Sequence, residues 1–303
     1  MIFTKIWQAD MEGSGVMPLV KGLSDGQKDP HKGYVVVDMN PMPEQYADKG
    51  KEWSDGDQIK IFKEVVIPSG KRLSYDLFMQ LHNSYEQNVK QSDSASSGNM
   101  REINEFLEYA AVTAPMRLAR KYAEDYHHIR AGCSKEEWID TLRSIWFKAD
   151  KPNRPTYFEQ VFIGERASSR EIWGEHHFWY HYSINKGPAL SLENANSKVF
   201  VKHIEVGRTG KSNLAEIITL TCTLEEKMNN GSHKEQVREL GGLLVGTSAE
   251  GLMALGTVAY LDGREQIPME LNGEAFELMM YRTEDAANNP QVFFLKSKSP
   301  ALI

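Results

Sequence analysis

At Lys151-Pro-Asn-Arg-Pro155 the character of this 303-residue chain changes, and that break limits its fold more than any other feature. Upstream, apolar residues recur at helical spacing. A short helix is expected around Phe3 to Asp10. A longer one starts near Ser74 with Leu77, Phe78, Leu81 and Tyr85 inward, and another buries Ile103, Phe106, Leu107 and Ala110. A further helix spans Thr113 to Ile129, with Pro115 tolerated in its first turn. Ser134-Lys-Glu-Glu137 reads as a capping box for the next, which carries Trp138, Leu142, Ile145 and Trp146 on one face. Downstream, strand-like runs dominate: Tyr157–Gly164, Val199–Glu205, Leu214–Leu224, Gly242–Val245, Phe276–Arg282 and Val292–Leu295. One helix interrupts them, opened by a second capping box at Thr247-Ser-Ala-Glu250. Helices followed by strands predict an α+β fold, with a mostly helical half (1–150) packed on a half of antiparallel sheets (151–303) as one integrated domain. Residues 1–60 read as an irregular wrap with one strand-like run, Tyr34 to Val37, and Ile59 to Val66 reads as strand or loop.

Charge narrows the partners. A net charge of −7 argues against coating nucleic acid or an anionic membrane through bulk charge, although a local basic cleft remains compatible with it. Two cysteines, Cys133 and Cys222, fit a reducing compartment rather than a disulfide scaffold. The N-terminus has no signal-peptide run and no stretch reaches transmembrane length, so a cytoplasmic protein is expected.

Chemistry concentrates between Tyr157 and Ile184. His176, His177 and His181 fall there among Trp173, Phe178, Trp179, Tyr180 and Tyr182, with Glu159 and Glu165 just upstream. Histidines and carboxylates held together are what acid–base chemistry near neutral pH requires. On a helix His177 and His181 share a face, and with Glu159 or Glu165 they could also hold Mn²⁺ or Zn²⁺. The plainer alternative is a helix packed onto a sheet with inert, hydrogen-bonded histidines. His82, on a helix face, is expected to be structural.

The order of several segments resembles the EndoU (XendoU-like) family of uridylate-specific endoribonucleases. Phe158-Glu-Gln-Val-Phe-Ile-Gly-Glu165 is similar to that family's F-E-H-V-F-V-G-E, and Glu175 to Tyr182 resembles its G-F-H-N-W-I-x-F-Y. Gly241 to Thr257 resembles S-S-F-F-I-G-T-S-P-E-F-E-x-A-L-Y-T, and Ile6-Trp-Gln-Ala-Asp10 is a weaker echo near the start.

The resemblance implies attack by an RNA 2′-hydroxyl on its own phosphodiester, leaving a 2′,3′-cyclic phosphate. Two histidines and a lysine would do this work, commonly with Mn²⁺ or Ca²⁺ present. It implies single-stranded RNA as the partner, with no part for DNA or a membrane. Carried over residue by residue, the glutamates match Glu159 and Glu165, and the second histidine matches His177, or His176 in the adjacent register. His177 is preferred because Trp179 keeps the family's spacing. The first histidine becomes Gln160, whose amide exchanges no proton near neutrality. The lysine position holds Val237, leaving the neighbouring Arg238 or Lys234 as the cation. The paired serines, one of which helps to read uracil, become Gly241 and Gly242. The C-terminal threonine and tyrosine fall near Phe294 and Lys296 and are unmatched, Tyr281 being the nearest tyrosine.

Glu159, Gln160, Glu165, His176, His177 and Arg238 therefore form the candidate catalytic set. His181, Trp179, Tyr281, Gly242 and Lys202 are the candidate substrate contacts, and His203 is a histidine able to stand in for the missing one. Three functions stay open: a ribonuclease with a rearranged site, a scaffold that binds RNA or protein without cutting, and a different acid–base reaction in the same cleft.

Overall fold

A computed structural model describes residues 1–42, 60–90, 97–149, 156–163, 177–184, 192–194, 197–209, 212–229, 231–283 and 289–297. Helices α1 (Ile2–Glu12), α2 (Arg72–Lys90), α3 (Ser97–Ala110), α4 (Ala114–Asp125) and α5 (Lys135–Trp146) fill the first half. The second half holds β4 (Leu192–Asn194), β5 (Ser197–Thr209), β6 (Ile217–Met228), β7 (His233–Leu244), β8 (Gln266–Leu271), β9 (Glu274–Arg282) and β10 (Pro290–Ser297). Two helices lie among them, α6 (Trp179–Ile184) and α7 (Ala249–Asp262). The seven strands form one sheet in the order β4-β5-β6-β7-β10-β9-β8, each neighbouring pair antiparallel. The fold is α+β, as the break at 151–155 predicts.

The predicted helix faces are the buried ones. Phe78, Leu81, Phe106, Leu107, Ala110, Trp138, Leu142 and Trp146 are all at 0% exposure. Both halves of the Ser134–Glu137 box form: Ser134 Oγ accepts from Glu137 N, and the Glu137 carboxylate accepts from Ser134 N.

Three expectations need correction. Tyr157–Gly164 is not a strand: its described part, through Ile163, is a helical turn that widens into a π turn over Glu159–Ile163. Tyr157, Phe158, Val161 and Phe162 are its buried residues, an i, i+1, i+4, i+5 pattern, so helical periodicity overrides the β-branched content. The second box also shifts by one residue. Ser248, not Thr247, caps α7 by accepting from Gly251 N, while the Glu250 carboxylate accepts from Ser74 Oγ on α2. Lastly, the N-terminal wrap contains a three-stranded sheet of β1 (Met17–Val20), β2 (Tyr34–Val37) and β3 (Phe62–Val66), with β1 parallel to β2. Residues 91–96, between α2 and α3, lie outside the described residues, and α3 begins at Ser97.

Helix α7 is the axis of the molecule. Every residue from Ala249 to Ala259 is buried, so no polar face remains and all sides need apolar cover. Trp146 donates its indole N–H to Thr257 Oγ1, and the Tyr157 ring stacks on Trp146 at 4.0 Å. At the other end Asp10 of α1 reaches the helix N-terminus, accepting from Ser248 N (2.9 Å) and Ser248 Oγ. A carboxylate suits the partial positive charge of a helix N-terminus. Burial and the neighbouring Glu250 nevertheless push the Asp10 carboxyl up to about 7. Space for it exists only because residue 251 is glycine: a Cβ there would lie 2.2 Å from the Asp10 carboxyl carbon.

Two outcomes follow from this clamp. Gly251→Ala should lower stability by roughly 2–4 kcal/mol, seen as a fall in urea midpoint. A variant as stable as the native chain would show that Asp10 gives way freely. The second concerns pH. An unfolded aspartate ionises near 3.9, whereas folded Asp10 keeps its proton to about 7. The folded chain therefore binds more protons across that window, and stability falls as pH rises from about 4 to 7. Melting temperatures of Asp10→Asn across the same range should lack that part of the decline.

Candidate active site

Four elements converge where the sequence concentrates its chemistry: the π turn, the start of α6, the end of β7 and the middle of β10. The π turn is fixed by its own cap. Thr156 donates its N–H (2.7 Å) and hydroxyl (2.8 Å) to Glu159 Oε2, so this carboxylate holds the start of the turn rather than facing a substrate. Gln160 follows, partly buried, its backbone N–H donating to Thr156 O. His177 is joined to the same turn by its backbone, donating its N–H to Val161 O at 2.9 Å. The chain thus leaves the π turn and returns to it, which brings Gln160 and His177 into one locality. Phe178 then bridges to Leu244 at the end of β7.

The His177 ring is 5% exposed, and among the described residues neither ring nitrogen has a hydrogen-bond partner. Burial lowers its pKa to about 4, so the ring is neutral at physiological pH. It makes an offset stack with Phe294 of β10, with centroids 5.6 Å apart and planes 12° from parallel. Phe294 in turn stacks on Tyr281 of β9, again at 5.6 Å, with an angle of 18°. Tyr281 is 45% exposed. Lys296 Nζ sits 5.7 Å from the Phe294 centroid. The result is a ladder of three rings running from a buried imidazole to solvent, with an ammonium beside the middle rung.

Glycines 241 and 242 make this arrangement possible. A Cβ on Gly241 would stand 3.0 Å from the Phe294 ring. At Gly242 it would meet Leu295 O at 2.2 Å, because β7 and β10 meet at the single registered pair Gly242–Leu295. Glycine here permits a close approach of two backbones. Gly242 is buried and offers no side-chain group to a ligand.

Other candidates lie elsewhere or in other roles. Trp179 is fully buried, its indole N–H on Thr247 O at 2.7 Å, which leaves no face for a base. His181 is buried against His82 of α2, Nδ1 to Nε2 at 3.0 Å. Arg238 lies on β7 opposite Cys222, and Lys202 lies on β5. His203 is exposed on β5, which β6 separates from β7. Glu165 and His176 fall outside the described residues. Among the described residues no group of three His, Cys, Asp or Glu side chains could hold a metal ion. None of the described helices is long and apolar enough to cross a membrane. Phe294 is the residue that the sequence did not mark. Its place depends on the pairing of β7 with β10, and the only hint is an aromatic residue where the family pattern is unmatched.

Comparison with known proteins supplies the context. A family model described as Endoribonuclease XendoU matches residues 19–293. Poly(U)-specific endoribonuclease-B of Xenopus laevis is 23% identical over 285 residues, covering 92% of this chain and 87% of that protein. Poly(U)-specific endoribonuclease of Xenopus tropicalis is 25% identical over 208 residues, 66% of this chain and 64% of its own length. Among solved structures, one described as XendoU, a splicing independent snoRNA processing endoribonuclease, superposes with a TM-score of 0.58. It shares 19% identity, with 97% of this chain and 94% of that one covered.

The two-glycine seam is testable by restoring side chains. Gly242→Ser should destabilise the fold by about 2–4 kcal/mol, since the obstacle is a backbone carbonyl. Gly241→Ser meets only a ring edge and should cost less than half as much. Equal urea midpoints for the two variants would refute the close approach at residue 242.

Proposed function

The chain belongs to the endoribonuclease XendoU family, and on that premise we propose that it cuts single-stranded RNA by transphosphorylation at a site altered from the family pattern. In this reading the 2′-oxygen bonds to phosphorus while the bond from phosphorus to the 5′-oxygen breaks, leaving a 2′,3′-cyclic phosphate. His177 accepts the 2′-hydroxyl proton. It is suited to that because it is neutral at physiological pH and both of its ring nitrogens are uncommitted among the described residues. This uncommitted imidazole, on a backbone tied to the π turn that carries Gln160, is the observation that carries the proposal.

Gln160 has no proton to give, so the departing 5′-oxygen takes one from water. Lys296, at the rim of the ring ladder, and Arg238 on β7 are the cations proposed to offset charge on the phosphorane. Manganese enters only as an assay condition. Glu159 is engaged by Thr156, and no described cluster fits a resident ion, so no step runs through a metal.

The test is digestion of a uridine-containing oligonucleotide with and without Mn²⁺, with products checked for the cyclic phosphate. His177→Ala should lower the rate by about 10²–10⁴-fold. Cleavage unchanged in that variant would remove His177 from the chemistry, and an intact oligonucleotide throughout would favour a binding scaffold. The pH profile adds a second check. A base whose pKa has fallen to about 4 stays competent well below neutrality. The acid limb of kcat/KM, which reports the free enzyme, should therefore lie near 4 rather than near the 6.5 of an ordinary histidine.

A further inference from the structure

In the His177–Phe294–Tyr281 ladder the middle rung is supplied by the protein itself. We infer that Phe294 is a built-in plug occupying a slot for a flat aromatic ligand, so that the free protein is latent until a nucleobase takes its place between His177 and Tyr281.

Four observations carry this. The first is parallelism: angles of 12° and 18° on the two sides of Phe294 make the space between its neighbours a slot for a planar ring. The second is the outer wall. Tyr281 is 45% exposed, and Phe294 itself is only partly buried, so a route from solvent leads to the middle rung. The third is the floor. Gly241 presents no side chain beneath Phe294, and the ring fills the volume that any larger residue there would claim. The fourth is the buried imidazole. Two bare nitrogens under a phenyl ring are costly, because a polar group shut away from water without a partner loses its hydration for nothing. Opening the slot would let water or a ribose hydroxyl reach that imidazole, in keeping with the role proposed for His177.

The same geometry indicates how a base would be held. Neither Gly241 nor Gly242 has a side chain to read a base edge, so affinity comes from stacking on Tyr281 and from Lys296 meeting an attached phosphate. Stacking tolerates every base, so selection for uracil should be weak.

The inference rests on the proposed nuclease reading only in taking the ring to be a nucleobase, and its test needs no cleavage. Reaction of His177 with diethyl pyrocarbonate, followed by peptide mass spectrometry, measures how well the ring is sealed. Titration with uridine 3′-monophosphate and adenosine 3′-monophosphate measures occupancy of the slot. Phe294→Ala should modify at His177 at least 10-fold faster than the native chain. It should bind both nucleotides at least 10-fold more tightly, with affinities within about 5-fold of each other, and bound nucleotide should protect His177. If Phe294→Ala proves unfolded by circular dichroism, Phe294→Leu, which keeps bulk but not the plane, should show the same changes at smaller size.

A folded variant with native modification rate and unchanged nucleotide affinity would overturn the plug. Gain of nucleotide binding without any RNA cleavage would leave the plug standing and sink the nuclease reading. Cleavage by the native chain with no gain in either variant would do the reverse.

Discussion

The buried N-terminus of α7 is the constraint around which the rest of the molecule is arranged. A helix with no solvent-facing side can exist only if its first amide groups find acceptors inside the protein. Ser248 supplies one, and Asp10, from the other end of the sequence, accepts from Ser248 itself. Burying that carboxyl, and placing it beside Glu250, penalises its charged form, which explains the retained proton on Asp10. Glycine at position 251 allows the contact sterically. Once α7 is fixed, Trp146, Tyr157 and Phe293 have a surface to pack on, and β10 is held where it can reach the candidate site.

Local signals in the sequence placed the helices of the first half, although α4, expected to run to Ile129, ends at Asp125 ahead of the positive-φ residue His127. The apolar spacing from Leu77 to Tyr85 and from Ile103 to Ala110 matches the observed buried faces, and the Ser134 box forms with both of its bonds. The signal failed where two periodicities compete over a few residues. Between Tyr157 and Ile163, β-branched and aromatic residues favour a strand, but burial of Tyr157, Phe158, Val161 and Phe162 requires a helical turn. At Ser248 a one-residue shift was invisible, because both Thr247 and Ser248 are competent caps and a partner distant in sequence, Asp10, decides between them.

The site was legible in part for the same reason. His177 could be picked out by its distance from Trp179, a local relation. That Trp179 belongs to the core, its N–H spent on Thr247 O, follows from tertiary packing that spacing does not encode. Glu159 is similar: a glutamate three residues after a threonine is a cap before it is a catalyst, and the Thr156 bonds show it in that role. Phe294 was legible only as an aromatic residue near an unmatched family position, because its neighbours Gly241, His177 and Tyr281 come from three separate stretches of the chain.

Phe293 and Phe294 are consecutive, one buried on the α7 side of the sheet and the other on the ring ladder. Adjacent residues of a strand point to opposite faces, so one short piece of β10 packs on Gly256 of α7 with one ring and on the buried imidazole with the next. Selection on chemistry and selection on packing fall on the same pair of phenylalanines, and neither position is free to change alone.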